Sequence, residues 1–444
     1  MRGLFLSVSP NFTIMLNCSA PNLQYIPLIM KHKIIFGYLL LCTALLSGQQ
    51  KEAYLSQNKT ALDQTYVFPE SNAKLIGFGA YHGSAKTEDA ELILLQSVIK
   101  QKGVDYYFAE TDISNAYYFN QYLKTGNEEL LKDLIETYGT RVPQERTINV
   151  LEKWKKLKAI NDKLPKENKL SVLGADIIVT YKYTYRHLLS IIKDTSKWPS
   201  ALALKATVEQ DTTDFSPYYD SFTKGQLKRF ISDYEDNAIT YNKLVKDQAM
   251  FNYIINGIKT SFMTRYSREK QMYSNYLKLN DMYGLSNKKQ FFRLGFSHLL
   301  KYKEGNGAPF FSMLIDNGIY KKEEIKSVLG YLTKSEVIWE DVYENGEYVK
   351  SLNQGDEGIG DAPNEYFKGI DALKEEATAD MCIFKLTTAE SPYSTPGCTD
   401  LVEVIAVGAK AIDYGTTATT DYIDYAVLIS NSPASTSIYT IRKP

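Results

Sequence analysis

The chain of 444 residues carries 51 basic and 52 acidic side chains, a formal net charge of −1. That balance excludes the broad positive surface that nucleic acid or an anionic membrane face requires, so no nucleic-acid partner is expected. The length suffices for a large core, and no Pro/Ser/Gly-rich linker divides residues 49–444, which read as one elaborated domain.

Residues 1–29 show no clean pattern and read as an over-extended start. From Met30 the pattern is that of an export leader. Lys31, His32 and Lys33 form a basic stretch, Ile34 to Leu46 an apolar one, and Ser47, Gly48 and Gln49 a small-residue exit. The apolar run is too short to cross a bilayer, so residues 30–48 are expected to be a cleaved signal peptide and no stable membrane span is expected. The expected location is therefore periplasmic or extracellular. Cys42 follows three leucines instead of a small residue, which favours ordinary cleavage near Gln49 over lipidation. In an oxidising compartment Cys382 and Cys398 have the choice of a disulfide or two thiols, and their spacing fits no metal-ligand pattern.

The stretch KLIGFGAYHGS, Lys74 to Ser84, is an apolar run that ends in glycines and delivers His82. Thr87 is the expected cap of a following helix whose first turn carries Glu88, Asp89 and Glu91, with Gly103 stopping it. Val104 to Ala109 then reads as a second buried strand, ending in Glu110. Strand, helix and strand at this length imply a βαβ unit whose two parallel strands are expected to be neighbours. His82 and Glu110 then share the carboxyl edge, where ligands bind in open α/β sheets. Asn115 to Lys163 is helical in pattern. Leu170 to Ala175 repeats the strand arrangement and ends in Asp176. Ile177 to Gly284 is a long Tyr-rich helical tract, expected to be a subdomain inserted over the carboxyl edge of the strands. Phe291 to Ser297 is a further apolar run, ending in His298. Beyond it, Ser327 to Leu332, Met381 to Leu386 and Tyr425 to Ile429 are strand candidates, with a helix near Tyr366 to Ala377, all expected to extend the same sheet. The fold class is α/β, a mostly parallel sheet flanked by helices.

His82, Glu110, Asp176 and His298 are therefore expected to form one site. A histidine of near-neutral pKa can deprotonate water while a carboxylate steadies it, which makes His82 the expected base and Glu110 its partner. His298 is expected to polarise a carbonyl or protonate a leaving group. Asp176 and Glu88 are expected on the substrate side. No G-x-S-x-G elbow, Walker loop, H-x-x-x-H or H-E-x-x-H spacing occurs, so neither a serine nucleophile, a metal nor a cofactor is expected.

Five segments in order resemble the erythromycin esterase family: GAYHG around His82, FAETD around Glu110, WKKLKAIN from Trp154 to Asn161, REKQMYSN from Arg268 to Asn275, and LGFSH ending at His298. The closing DYAVLISNSPAST is also similar to that family's last strand. The resemblance implies an α/β hydrolase acting on an ester or lactone-type small molecule, with Arg268 on the substrate side, gripping a carbonyl or anionic group. Two positions depart from its pattern. Gly79 stands where the family has a glutamate three residues before its first histidine, and Thr87 where it has an arginine five residues after. Loss of that glutamate leaves an exported, non-catalytic binding protein with the same pocket as the alternative.

Overall fold

The computed structural model describes residues 49–69, 72–139, 141–210, 214–303, 307–355, 360–410 and 412–442. The expected start at 1–29 and leader at 30–48 lie outside the described residues. Among the described residues the strands are β1 (Lys59–Ala61), β2 (Leu75–Gly79), β3 (Tyr106–Phe108), β4 (Ser171–Leu173), β5 (Gln290–Leu294), β6 (Ile325–Thr333), β7 (Val337–Glu344), β8 (Glu347–Gln354), β9 (Asp361–Ala362), β10 (Glu365–Phe367), β11 (Met381–Lys385), β12 (Val404–Ala406) and β13 (Tyr425–Ser430). Eight of them make one sheet in the order β1-β11-β13-β6-β2-β5-β3-β4. From β13 to β4 every pairing is parallel, and β11 and β1 close one edge antiparallel.

β2 and β5 bury all of their residues, as central parallel strands covered on both faces do. Their side chains sort by the two-residue period of a strand into two cores. Ile76, Phe78 and Phe291 join Leu94, Trp154 and Leu157 on one face. Leu75, Phe292 and Leu294 join Tyr276, Leu279 and Phe310 on the other. Helices Ala85–Lys102 and Ile148–Lys163 form the first layer, and Arg268–Tyr283 with Phe310–Asp316 belongs to the second. The expected helical tract is present as helices Tyr181–Ile191, Pro199–Val208, Phe222–Asp236, Ala238–Tyr241 and Gln248–Ser261 before Arg268–Tyr283. Its own core centres on Trp198, which stacks on Tyr241 at 4.2 Å and Phe230 at 4.9 Å between ring centroids. No helix among the described residues is long and apolar enough to cross a membrane.

Several local expectations are corrected. β2 and β3 are not neighbours, because β5 pairs with both. The helix after His82 is capped at Ser84, three residues before Thr87, because the segment following β13 supplies acceptors to its first amides: Pro433 O to Ala85 N and Ser432 Oγ to Lys86 N. The stretch read as helical from Asn115 to Lys163 is broken between Glu128–Tyr138 and Ile148–Lys163 by a loop with a short turn at Pro143–Glu145. The carboxyl-terminal region is not confined to the main sheet. β7 and β8 make a separate hairpin, and β9, β10 and β12 a separate small sheet. β10 takes up Tyr366, so the helix there starts only at Ile370, after Gly369. Cys382 and Cys398 are not bonded to each other; their sulfurs meet Thr60 O and Thr419 Oγ1.

Gly79 leaves no room for the missing glutamate. A Cβ there would lie 2.9 Å from Leu329 Cδ2, 3.0 Å from Leu299 Cδ1 and 3.1 Å from the Phe296 Cα. Gly79→Glu is therefore expected to lower stability by at least about 1–3 kcal/mol from overpacking, with no gain in activity. Thermal unfolding of the variant checks this; an unchanged midpoint would contradict it.

Candidate active site

The four residues singled out from the sequence leave their strands at one edge. His82 lies three residues past β2, Glu110 two past β3, Asp176 three past β4, and His298 in the short turn Phe296–Leu299 after β5. Since β5 sits between β2 and β3, His298 is carried to the middle of the group.

Glu110 is buried at the centre. Its Oε1 accepts from Arg268 Nη2 at 2.6 Å and Arg141 Nη2 at 3.2 Å, and lies 3.9 Å from His298 Nε2. Its Oε2 lies 3.5 Å from His82 Nε2. Both imidazoles thus reach one carboxylate. The same two arginines grip Asp176, Arg141 through Nη1 at 2.7 Å and Arg268 through Nη2 at 2.6 Å and Nε at 3.0 Å. Each histidine has a further carboxylate on its other nitrogen, Glu145 on His82 Nδ1 and Glu269 on His298 Nδ1. Arg268 Nη1 points at His298 Nε2 from 3.0 Å.

These contacts dictate different charge states. Both nitrogens of His82 face carboxylates, which suits the doubly protonated ring. Burial alone would lower its pKa, but Glu145 and Glu110 outweigh it and push His82 up to about 9. That shift favours the imidazolium at neutral pH, which suits His82 to donating a proton, where the sequence points to a base. His298 is the opposite case. A guanidinium can only donate, so Nε2 must accept from Arg268, and the ring's proton sits on Nδ1 toward Glu269. Despite burial, His82 and the two arginines hold Glu110 well below the usual carboxylate range. Burial opposes ionisation of Asp176 too, yet Arg141 and Arg268 keep its pKa below the ordinary value.

Arg268 is thus committed to Glu110, Asp176 and His298 as well as bordering solvent. Glu88 is placed elsewhere. It is buried with Lys153 Nζ at 2.6 Å, in a cluster where Glu91 accepts from Lys153 at 3.0 Å, pairs with Arg293 Nε at 3.3 Å and takes the Tyr107 hydroxyl. That cluster and the His82–Glu145 pair share the walls of one small cavity, to which Lys153, Arg293 and Tyr107 contribute. A larger cleft runs from Asp176 under the helical subdomain, past Tyr218, Tyr253 and Tyr266. His187 is structural: stacked on Tyr117 at 4.2 Å, with its pKa lowered to about 4 by burial. No group of three or more His, Cys, Asp or Glu among the described residues is arranged to hold a metal ion.

Sequence reasoning missed Glu145, Arg141, Glu269 and Arg293. Gly139 and Pro143 were the signal for the loop that carries the first two, and the charge inside FFRLG was the signal for Arg293.

No protein-family model and no curated protein matches the chain by sequence. Among solved structures, a Bacillus cereus protein superposes over 88% of this chain and 99% of its own with TM-score 0.59 and 16% identity. A succinoglycan biosynthesis protein does so over 87% and 98%, with TM-score 0.57 and 13% identity. A histidine-to-asparagine mutant of the erythromycin esterase EreC, in its open conformation, does so over 82% and 92%, with TM-score 0.51 and 11% identity. The fold is erythromycin-esterase-like. Within that fold, the carboxylate on the first histidine comes from Glu145 on a distant loop, and position 79 carries none.

The charge pattern predicts how stability follows pH. His82 has a folded pKa above its ordinary 6.5, so its contribution is complete below that value and is lost as pH rises to about 9. Glu145 is opposed by burial but held down to about 2 by His82, so its contribution is present above its ordinary 4.5 and is lost as pH falls toward 2. Stability of the wild type against denaturant is expected to fall from pH 6.5 to 9, and His82→Gln to remove most of that slope. An equal slope in the variant would contradict the pairing.

Proposed function

We propose that the protein is an exported hydrolase of ester or lactone-type small molecules, in which His298 is the base and His82 the acid. The observation that carries this reading is the pair of imidazoles on either side of Glu110, each with a further carboxylate on Nδ1, of which only His298 faces a guanidinium at Nε2. The fold shared with EreC, a protein described as an erythromycin esterase, supports the reaction class.

Substrate entry draws Arg268 off His298 and onto the substrate's carbonyl oxygen. His298 Nε2 then takes a proton from the attacking water while Glu269 steadies the imidazolium through Nδ1. Arg268 stabilises the oxyanion that forms as the water oxygen bonds to the carbonyl carbon. The C–O bond to the leaving group breaks, and His82 gives that oxygen its Nε2 proton, leaving a neutral ring held by Glu145. His298 returns its proton to solvent and His82 regains one. Glu110 stays ionised throughout. Its charge supports the imidazolium on either side in turn.

Turnover of an ester and lactone panel, measured against pH, tests the assignment. His298→Ala and His82→Gln are each expected to lose about 100- to 10,000-fold in turnover. The wild-type profile is expected to fall on its basic side near pH 9 as His82 deprotonates. A variant lacking His298 that keeps full turnover would refute the base assignment. Absence of hydrolysis, together with tight binding of one compound that His82→Gln leaves unchanged, would instead establish the binding protein. Export is tested separately by amino-terminal sequencing of the mature protein, with a start near Gln49 expected and one upstream of Ile34 contradicting it.

A further inference from the structure

Neither loop of the His82–Glu145 pair is fixed by the sheet that launches it. β2 ends at Gly79, so residues 80–84 run beyond its ladder, and Glu145 sits on an isolated turn of three residues. What holds both is contributed from far along the chain. The segment after β13 runs antiparallel to each: Ser84 bridges Ala434, and Thr147 bridges Ser437. Ser435 N donates to Gly83 O at 2.8 Å, Ile148 N to Thr436 O at 2.8 Å, and Ile438 N to Arg146 O at 3.0 Å. The β7–β8 hairpin grips the same residues from another side. Ile338 N also donates to Gly83 O at 2.9 Å, Gln144 Nε2 donates to Trp339 O at 2.9 Å, and Asp341 Oδ2 lies 3.4 Å from Arg146 Nε. The Arg146 guanidinium also lies over the Tyr439 ring, 5.1 Å from its centroid. The gripped residues, Gly83, Gln144 and Arg146, are the immediate chain neighbours of His82 and Glu145.

We propose that the Ser432–Ile438 segment and the β7–β8 hairpin form a clamp that positions the His82–Glu145 pair, with Gly83, Gln144 and Arg146 as its grips and Asp341 and Ser435 as positioning residues. The inference rests on the reading of His82 as the site's acid and adds what sets that acid's state. The contact at Gly83 is tight. With φ at +85° and a Cβ position 2.8 Å from Ile338 O, that residue admits no side chain without displacing the hairpin. The charged groups facing His82 are Glu145 and Glu110, with Lys153 and Arg293 across the shared cavity. Of these, only Glu145 is carried on a clamped loop, and His82 itself is on the other, so slackening the clamp at either loop should separate the ring from that carboxylate.

The test is an NMR titration of 15N-histidine-labelled protein, which needs no substrate. Two variants serve: one with residues 338–353 replaced by a tight Asn-Gly turn between the paired Val337 and Gln354, which removes the grips of Ile338, Trp339 and Asp341, and Gly83→Ala. In either, the His82 midpoint is expected to fall from about 9 by about one unit or more toward 6.5, with its Nδ1 proton exchanging faster, while His298 keeps its Nδ1–H tautomer. An unchanged His82 in a folded variant overturns the clamp, as does an equal change at His298, which would mean general loosening. A wild-type His82 that is neutral at pH 7.5 would instead refute the acid role alone. The clamp would then be judged by Nδ1 proton exchange, faster exchange in the variants upholding it and unchanged exchange overturning it.

Discussion

The site depends on keeping Glu110 ionised in the protein interior. An unpaired buried carboxylate is unstable by several kcal/mol and would simply take up a proton. Here two guanidiniums and one imidazolium surround it, and Asp176 balances the arginines in turn. The arrangement explains why four strand ends must converge. His82, Glu110 and Asp176 each bring a charge that the others and the two arginines balance, and His298 brings an acceptor for Arg268, so removing a charged member leaves a buried ion without its partner. It also explains the division between the histidines: each meets a second carboxylate at Nδ1, but only His298 meets a guanidinium at Nε2.

The sheet order serves this constraint. With β5 between β2 and β3, the residue arriving last from the helical subdomain enters the centre. Arg268, at the first position of the helix that leads toward β5, enters from the same side. The helical subdomain thus supplies part of the site as well as the Tyr-lined wall of the cleft beside Asp176.

Much of this was legible in the sequence, for a physical reason. A short buried strand shows as an apolar run, and the polar residue at its end stands out, so His82, Glu110, Asp176 and His298 could be named. Arg268 could be named because of the segment resemblance. Glu145 and Arg141 were hidden because GTRVPQER lies between two amphipathic helices and the helical period carried through it, although Gly139 and Pro143 argue for a break. Glu88 was misplaced because acidic residues in a first helical turn suit the helix dipole, while in the structure a buried lysine and arginine decide their environment. The contacts between residues 83 and 435 were beyond any local pattern, since no periodicity reports which loop a distant segment will cross.

The central claim is that the two histidines rest in opposite protonation states on one carboxylate. Its most direct measurement is the 15N spectrum of the imidazole rings in the wild-type protein at pH 7.5. The account predicts that His82 carries protons on both nitrogens, while His298 is neutral and protonated on Nδ1. A neutral His82, or an imidazolium at His298, would contradict it.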